Sequence, residues 1–285
     1  MQARRAPGVV LVAWDGSEAG AMAIPIAMTM ADQMGARVEI LHVQPEESVE
    51  MAVLYELRAA AARPEEVSLR VRQGDPAKEI VNATKDEDVA LVVMTTHGRT
   101  IEARRGMGHV TEEVVRLADR PVLLVKPETV LARPPCPIRS LLLPMDGTPR
   151  TAVALRPATE LARRLGARVD LLYVASEADG LAAERGSMSA PHYVDQPQHE
   201  WPSWTKEAVR RLAKSCAGAA PTVPTQMHLA KGDVGEQIVN FAAQHGSDVI
   251  VLVRRSRLEP GRARAFKTVL RDACCPVLVL GGPAD

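Results

Sequence analysis

The feature that most constrains this chain is an internal repeat. Val9–Ser17 reads VVLVAWDGS and Ser140–Thr148 reads SLLLPMDGT. Met34–Val43 reads MGARVEILHV and Leu165–Val174 reads LGARVDLLYV, again 131 residues later. Three more blocks follow in the same order: QGDPAKEIVN against KGDVGEQIVN, DVALVV against DVIVLV, and PVLLV against PVLVL. Their offsets are 158, 160 and 155 residues, so the second copy carries an insertion of about 27 residues and then loses a few. Repetition of this kind decides the architecture before any single motif does.

Each copy has apolar runs of four to six residues, rich in Val, Leu and Ile. Unbroken runs suit strands buried on both faces of a parallel sheet, whereas alternation would suit a half-exposed one. Between the runs lie helical stretches at 19–34 and 151–165, each followed by a glycine (Gly35, Gly166). Asp75-Pro76 is an N-cap with proline at the first helical position, and Thr111–Ala118 forms a last helix before Pro121. The expected fold class is α/β, two tandem doubly wound parallel-sheet domains. The expected boundaries are residues 1–127, a proline-rich linker at 128–137 and a second domain at 138–285 with its insertion near 176–203. Four prolines between Lys126 and Pro137 predict a stiff, non-helical connector.

Bulk chemistry removes several function classes. A chain of 285 residues with 46% hydrophobic and 25% charged residues builds real cores. Lys plus Arg equals Asp plus Glu at 35 each, which points away from nucleic acid and from a membrane surface. No apolar run approaches the ~18 residues that span a bilayer, and no secretory h-region follows Arg4 and Arg5. The four cysteines, Cys136, Cys216, Cys274 and Cys275, contain no C-x-x-C pair. They read as buried, reduced thiols of a cytoplasmic protein rather than as a disulfide or zinc framework.

Ligands of such sheets bind at the carboxyl ends of the strands, near the switch point. In copy one, Asp15 stands there after the first strand. The loop Met94-Thr95-Thr96-His97-Gly98-Arg99 follows the fourth, and Gly106-Met107-Gly108-His109 leads into a helix. A glycine-bearing loop that opens a helix offers backbone N–H groups and a positive helix end to an anion. His42, inside the second strand run, reads as a core histidine bonded to backbone. No P-loop, G-x-S-x-G elbow, dinucleotide fingerprint or Ser-His-Asp set is present, so no catalytic residue and no metal ligand is assigned.

The blocks DGS, LHV, GDPAKEIV, VMTTHGR, GHVTEEVV and PVLLVK resemble the universal stress protein family, and the resemblance covers nearly the whole chain twice, as in tandem members. It implies an adenine-nucleotide α-hydrolase-like fold and a nucleotide loop of the form G-x-x-G-x₉-G-[S/T]. Gly98 and Gly108 match the second and third glycines, while Thr95 replaces the first and His109 replaces the Ser or Thr. By the same resemblance Ala13 and Asp15 face adenine and ribose, and Val43 meets adenine through its backbone. Met94 flanks the base, and His97, Gly98, Gly108, His109 and Val110 surround the phosphates. The implied ligand is ATP or AMP, with Mg accompanying ATP.

A Cβ at position 95 is costly only where the site needs a positive φ or a close backbone approach. In copy two the aligned loop runs from Arg254 to Arg264, with Arg255, Leu258 and Ala263 at the glycine positions and Arg264 at the last, so the cradle is lost. The implied role is a non-catalytic, nucleotide-sensing stress protein or adaptor. The halves pair through Val122–Val125 and Val277–Leu280, and a homodimer of the tandem chain is open. A nucleotide-independent interaction module and a weak ATPase are the competing classes.

Overall fold

The computed structural model describes residues 8–44, 67–98, 107–146 except 133 and 135, 151–175 except 152, 223–254 and 260–281. The insertion at 176–203 and the segments joining the second and third strands of each half lie outside them. The chain divides between Pro137 and Ile138 into two compact units.

Unit 1 runs β1 (Val9–Trp14), α1 (Glu18–Ala21), α2 (Ala23–Met34), β2 (Arg37–Gln44), β3 (Val67–Gln73), α3 (Pro76–Ala83), β4 (Val89–Thr95), α4 (His109–Leu117), β5 (Val122–Val125) and α5 (Pro127–Ala132). Its strands are all parallel, in the order β3-β2-β1-β4-β5. Unit 2 repeats this with β6 (Ser140–Met145), α6 (Leu155–Leu165), β7 (Arg168–Ala175), β8 (Thr225–Lys231), α7 (Val234–His245), β9 (Val249–Arg254), α8 (Pro260–Asp272) and β10 (Val277–Gly281). Its order is β8-β7-β6-β9-β10. The two doubly wound sheets read from the sequence are therefore present, with one strand order in both.

The unbroken apolar runs behave as their pattern requires. Every residue of β1 and of β5 is buried, and Leu11, Leu123, Leu124, Leu141, Leu142 and Leu143 are among the largest fully buried side chains. Each such side chain contributes roughly 1.5–3 kcal/mol relative to leaving it in water. Helix α2 turns Ala23, Ile24, Ile26, Ala27 and Met30 inward against β1, β2 and β4.

Helix ends also follow the sequence. Gly35 (φ 60°) and Gly166 (φ 67°) close α2 and α6 in the left-handed region, which glycine enters without a Cβ penalty. Asp75 caps α3, accepting from Lys78 N at 2.9 Å, and Asp233 caps α7, accepting from Glu236 N at 3.1 Å.

Two expectations need correction. The helix expected at 19–34 is split at Met22. Pro25 lacks the N–H that would reach Ala21 O, and Met22 N closes instead on Ala19 O at 3.2 Å. The connector is not wholly non-helical, because Pro127–Ala132 forms α5. Pro127 opens that helix, where its fixed φ suits the first turn and its missing N–H costs nothing. Thr129 N and Oγ1 both bond Lys126 O, at 3.0 and 2.7 Å, and the prolines at 134, 135 and 137 keep the helix short.

Unit 2 contains one helix contact that only glycine permits. A Cβ on Gly235 of α7 would stand 2.7 Å from Thr268 Cβ and 3.2 Å from Ala265 Cα on α8. Overpacking costs about 1–3 kcal/mol, and the better helix propensity of alanine offsets up to about 1 kcal/mol of it. Gly235→Ala is therefore expected to lower stability by about 1 kcal/mol, read as a lower denaturation midpoint at unchanged m-value. An unchanged midpoint would mean that the helices move apart freely.

Candidate functional site

In unit 1 the strand order reverses between β1 and β4, so the crevice beyond their carboxyl ends is the switch point. Two segments meet there. Val12 pairs with Val93 in register, which sets Asp15, one residue beyond β1, beside the loop that leaves β4. The contact is close: a Cβ added to Gly98 would overlap Asp15 Oδ2 and lie 2.9 Å from its Cγ. Gly98 is thus required by the carboxylate packed against it.

Asp15 is held in place by its own turn. Its Oδ1 accepts from Ser17 N at 3.0 Å and from Ser17 Oγ at 2.6 Å, while Ser17 Oγ in turn accepts from Gly20 N at 2.9 Å as the N-cap of α1. Gly20 crowds the same carboxylate, since its Cβ would lie 2.5 Å from Oδ1. Trp14 Nε1 donates to Ser17 O at 3.0 Å. His42 Nδ1 lies 2.9 Å from Trp14 O, an atom that can only accept, so the ring donates through Nδ1. His42 is the backbone-bonded histidine that its place in the strand suggested.

The loop after β4 is tied internally. Thr95 is the last residue of β4, extended, paired with Val125 and buried. Its Oγ1 donates to His97 O at 2.8 Å. The positive φ that would penalise a side chain at position 95 is therefore not needed, and the hydroxyl binds the turn. Thr96 Oγ1 and His97 Nδ1 are 2.9 Å apart. Gly108 N donates to Thr96 O at 2.9 Å and Thr111 Oγ1 to Thr95 O at 3.2 Å, which moors the start of α4 to the end of β4.

Two features leave this loop open to a ligand. Among the described residues His97 Nε2 is buried without a hydrogen-bond partner, a state that costs about 1–3 kcal/mol. Gly108 is the N-cap of the nine-residue α4 at φ −63° and offers no side chain to the first-turn N–H groups. Those groups have no partner within a helix and carry its positive end. Among the described residues a Cβ on Gly108 would meet only Thr96 O at 3.5 Å and Thr111 Oγ1 at 3.9 Å, so none of them demands glycine there.

Asp15, Thr95, His97, Gly98, Gly108, His109 and Val110 therefore lie on the two segments that meet at the switch point. His109 is exposed and Val110 half-buried. Ala13 and Met94 are buried in β1 and β4 just before the crevice, and Val43 lies on β2, paired with Arg72. Ser17, Thr96 and Thr111 lie inside the blocks DGS, VMTTHGR and GHVTEEVV but were not among the expected site residues, since they act only through side-chain bonds across the loops.

Among the described residues, unit 2 lacks the equivalent arrangement. Asp146 Oδ1 accepts from Thr151 Oγ1 at 2.6 Å. Ala263 and Arg264, aligned with Gly108 and His109, lie inside α8 rather than at its cap. Residues 255–259 are outside the described set. The basic stretch around α8 lines a 490 Å³ cleft in which Arg264, Lys267 and Arg271 face Asp233, Glu236 and Asp272. Arg264 lies 3.6 Å from Asp233, so this cleft is charge-balanced and does not select an anion.

Comparison with known proteins agrees with this fold. The universal stress protein family model matches residues 49–126 and 137–281. A universal stress protein of Methanocaldococcus jannaschii, MJ0577, is 38% identical over 66 residues, which is 22% of this chain and 41% of that protein. Thus the chain spans about two-fifths of that relative. A universal stress protein of Thermus aquaticus is 32% identical over 133 residues, covering 41% of this chain and 97% of the relative. A universal stress protein structure from Archaeoglobus fulgidus has the same fold at 16% identity and a TM-score of 0.63, covering 97% of this chain and 99% of that one. With both halves matched, this chain belongs to the universal stress protein family.

Proposed function

We propose that the chain is a tandem stress-response protein whose first unit alone takes up an adenine nucleotide, as a sensor or adaptor rather than an enzyme. The observation that carries this is the convergence of Asp15, Gly98 and the start of α4, whose N-cap Gly108 makes no side-chain bond, on one crevice, with His97 Nε2 buried and, among the described residues, unpartnered. Each part has a task that suits the ligand. The N–H groups that open α4 receive phosphate oxygens. His97 Nε2 gains the partner it lacks. Asp15, an acceptor beside Gly98, repels phosphate and suits ribose hydroxyls. Ala13, Val43 and Met94 supply the apolar wall for the base. Mg²⁺, where ATP carries it, adds charge neutralisation at the phosphates.

Calorimetric titration of the whole chain with ATP and with AMP tests this reading. One site per chain with micromolar affinity is the expected outcome. Absence of heat with both ligands would leave the nucleotide-independent interaction module, the reading that His109 favours by departing from the motif.

The geometry separates those two departures. His109→Ser exchanges an exposed imidazole for a compact hydroxyl at the mouth of α4 and is expected to tighten ATP binding several-fold. Thr95→Gly removes the bond to His97 O from a buried strand end, so it is expected to cost about 1–2 kcal/mol of stability and to weaken binding. Denaturant melts and titrations of the two single variants check both signs. Tighter binding in Thr95→Gly would overturn this account of the loop.

A further inference from the structure

The two adjacent cysteines stand in the turn between α8 and β10, at the amino end of the unit 2 sheet, away from the loops discussed above. The repeat supplies an internal control for them. Aligned through PVLLV and PVLVL, the turn reads Ala118-Asp119-Arg120-Pro121 in unit 1 and Ala273-Cys274-Cys275-Pro276 in unit 2. Its backbone is the same in both. Ala118 N reaches Val114 O at 2.8 Å and Ala273 N reaches Val269 O at 2.9 Å. Val92 N reaches Pro121 O at 2.9 Å and Ile250 N reaches Pro276 O at 3.1 Å.

In unit 1 the turn is stapled by Arg120, which donates to Thr84 O and Asp86 O at 3.2 Å each, and by Asp119 N, which donates to Thr84 Oγ1 at 3.1 Å. The fold closes this turn with Asp-Arg and does not require sulfur. Unit 2 places two thiols there instead. Cys274 is exposed and Cys275 is 5% exposed, and the two side chains are hydrogen-bonded to each other. The expectation of uniformly buried thiols is corrected here: Cys136 is exposed as well.

Geometry narrows what two such sulfurs can hold. Neighbouring Cα atoms are about 3.8 Å apart across a trans peptide, whereas disulfides take about 4.4–6.8 Å, so an S–S bond would distort the turn. Structural zinc takes four ligands, and no third His, Cys, Asp or Glu completes a metal group here among the described residues. A trivalent arsenical bridges two sulfurs without drawing them into a bond.

We propose that Cys274 and Cys275 form a chelating site for trivalent arsenicals, the thiol-seeking class that includes arsenous acid and its organic oxides. Two As–S bonds form as the arsenic–oxygen bonds break. From an organic oxide both thiol protons leave with its one oxygen as one water, from arsenous acid they leave with two hydroxyls as two waters, and arsenic stays trivalent, so no oxidant or reductant is needed. Its hydrogen bond with Cys274 and its burial push the Cys275 thiol well above the ordinary range, so capture starts at the exposed Cys274 and the second As–S bond closes on Cys275.

The test is intact-mass measurement of the reduced full chain after phenylarsine oxide. The expected result is one phenylarsenic group per chain that survives excess monothiol and is removed by a dithiol. Chelation exceeds single-thiol capture by roughly 10²-fold or more. Cys274→Ser, at an exposed position that leaves the melt unchanged, should lose that factor, as should Cys275→Ala. The double variant Cys136→Ser, Cys216→Ser should keep it. Full retention in Cys274→Ser, or loss in the Cys136, Cys216 variant, would overturn the assignment, which is independent of the nucleotide reading.

Discussion

Gly98→Ala is expected to destabilise unit 1 by about 1–3 kcal/mol and to abolish nucleotide binding, because its methyl group lands on the Asp15 carboxylate. Asp15 cannot swing aside cheaply. Its Oδ1 is held by both the N–H and the hydroxyl of Ser17, and the same serine caps α1. The clash therefore propagates into the turn that ends β1.

A double-mutant cycle isolates the contact. Asp15→Ala alone gives up those bonds and costs about 1 kcal/mol. In that background Gly98→Ala should cost only a few tenths, so the pair couples by about 1–2 kcal/mol, within the range for residues in contact. Urea melts of the four proteins give the number. Additive costs would mean that Gly98 is needed for some reason other than Asp15.

Gly108→Asp is expected to do the opposite to stability while still destroying binding. Gly108 has an ordinary negative φ, a Cβ there would make only ordinary contact with Thr96 O at 3.5 Å among the described residues, and it caps α4 with no side-chain bond. Aspartate is a better N-cap than glycine by a few tenths of a kcal/mol and complements the helix dipole. The same carboxylate would occupy the N–H groups that a phosphate needs and would repel its charge. Stability should hold or rise slightly, while ATP affinity falls at least ~10-fold, about 1.4 kcal/mol. A destabilised variant would contradict the reading of α4 as an uncapped helix. An unchanged affinity would place the phosphates elsewhere.

Much of this fold was legible because the repeat and the unbroken apolar runs act locally. Continuous Val and Leu stretches such as Val9–Val12 and Val122–Val125 can only be strands buried on both faces, and the capping residues Asp75, Gly35 and Gly166 act within one turn of their own position. The misreadings also have local causes. Pro127 looked like a helix breaker, yet at the first position it starts α5. Pro25 falls inside the stretch 19–34 that the sequence reads as one helix, and it splits α1 from α2.

The site was half legible. The glycine spacing located Gly98 and Gly108 but could not say why each is glycine. The reason at 98 is a through-space contact with Asp15, 83 positions earlier in the chain, and no pattern in the loop encodes it. Thr95 looked like a defect in a motif. Its hydroxyl instead closes the turn onto His97 O, a bond that follows from where β4 ends rather than from composition. Ser17, Thr96 and Thr111 are common residue types whose work depends on partners brought close by the sheet.

Photolabelling of the whole chain with an azido-adenine analogue of ATP, followed by peptide mapping, tests the central claim most directly. The account predicts label in peptides of unit 1 that carry β1, β2 or β4, competed away by ATP and lost in Gly108→Asp. Label confined to residues 138–285, or label in unit 1 that Gly108→Asp leaves untouched, would contradict it.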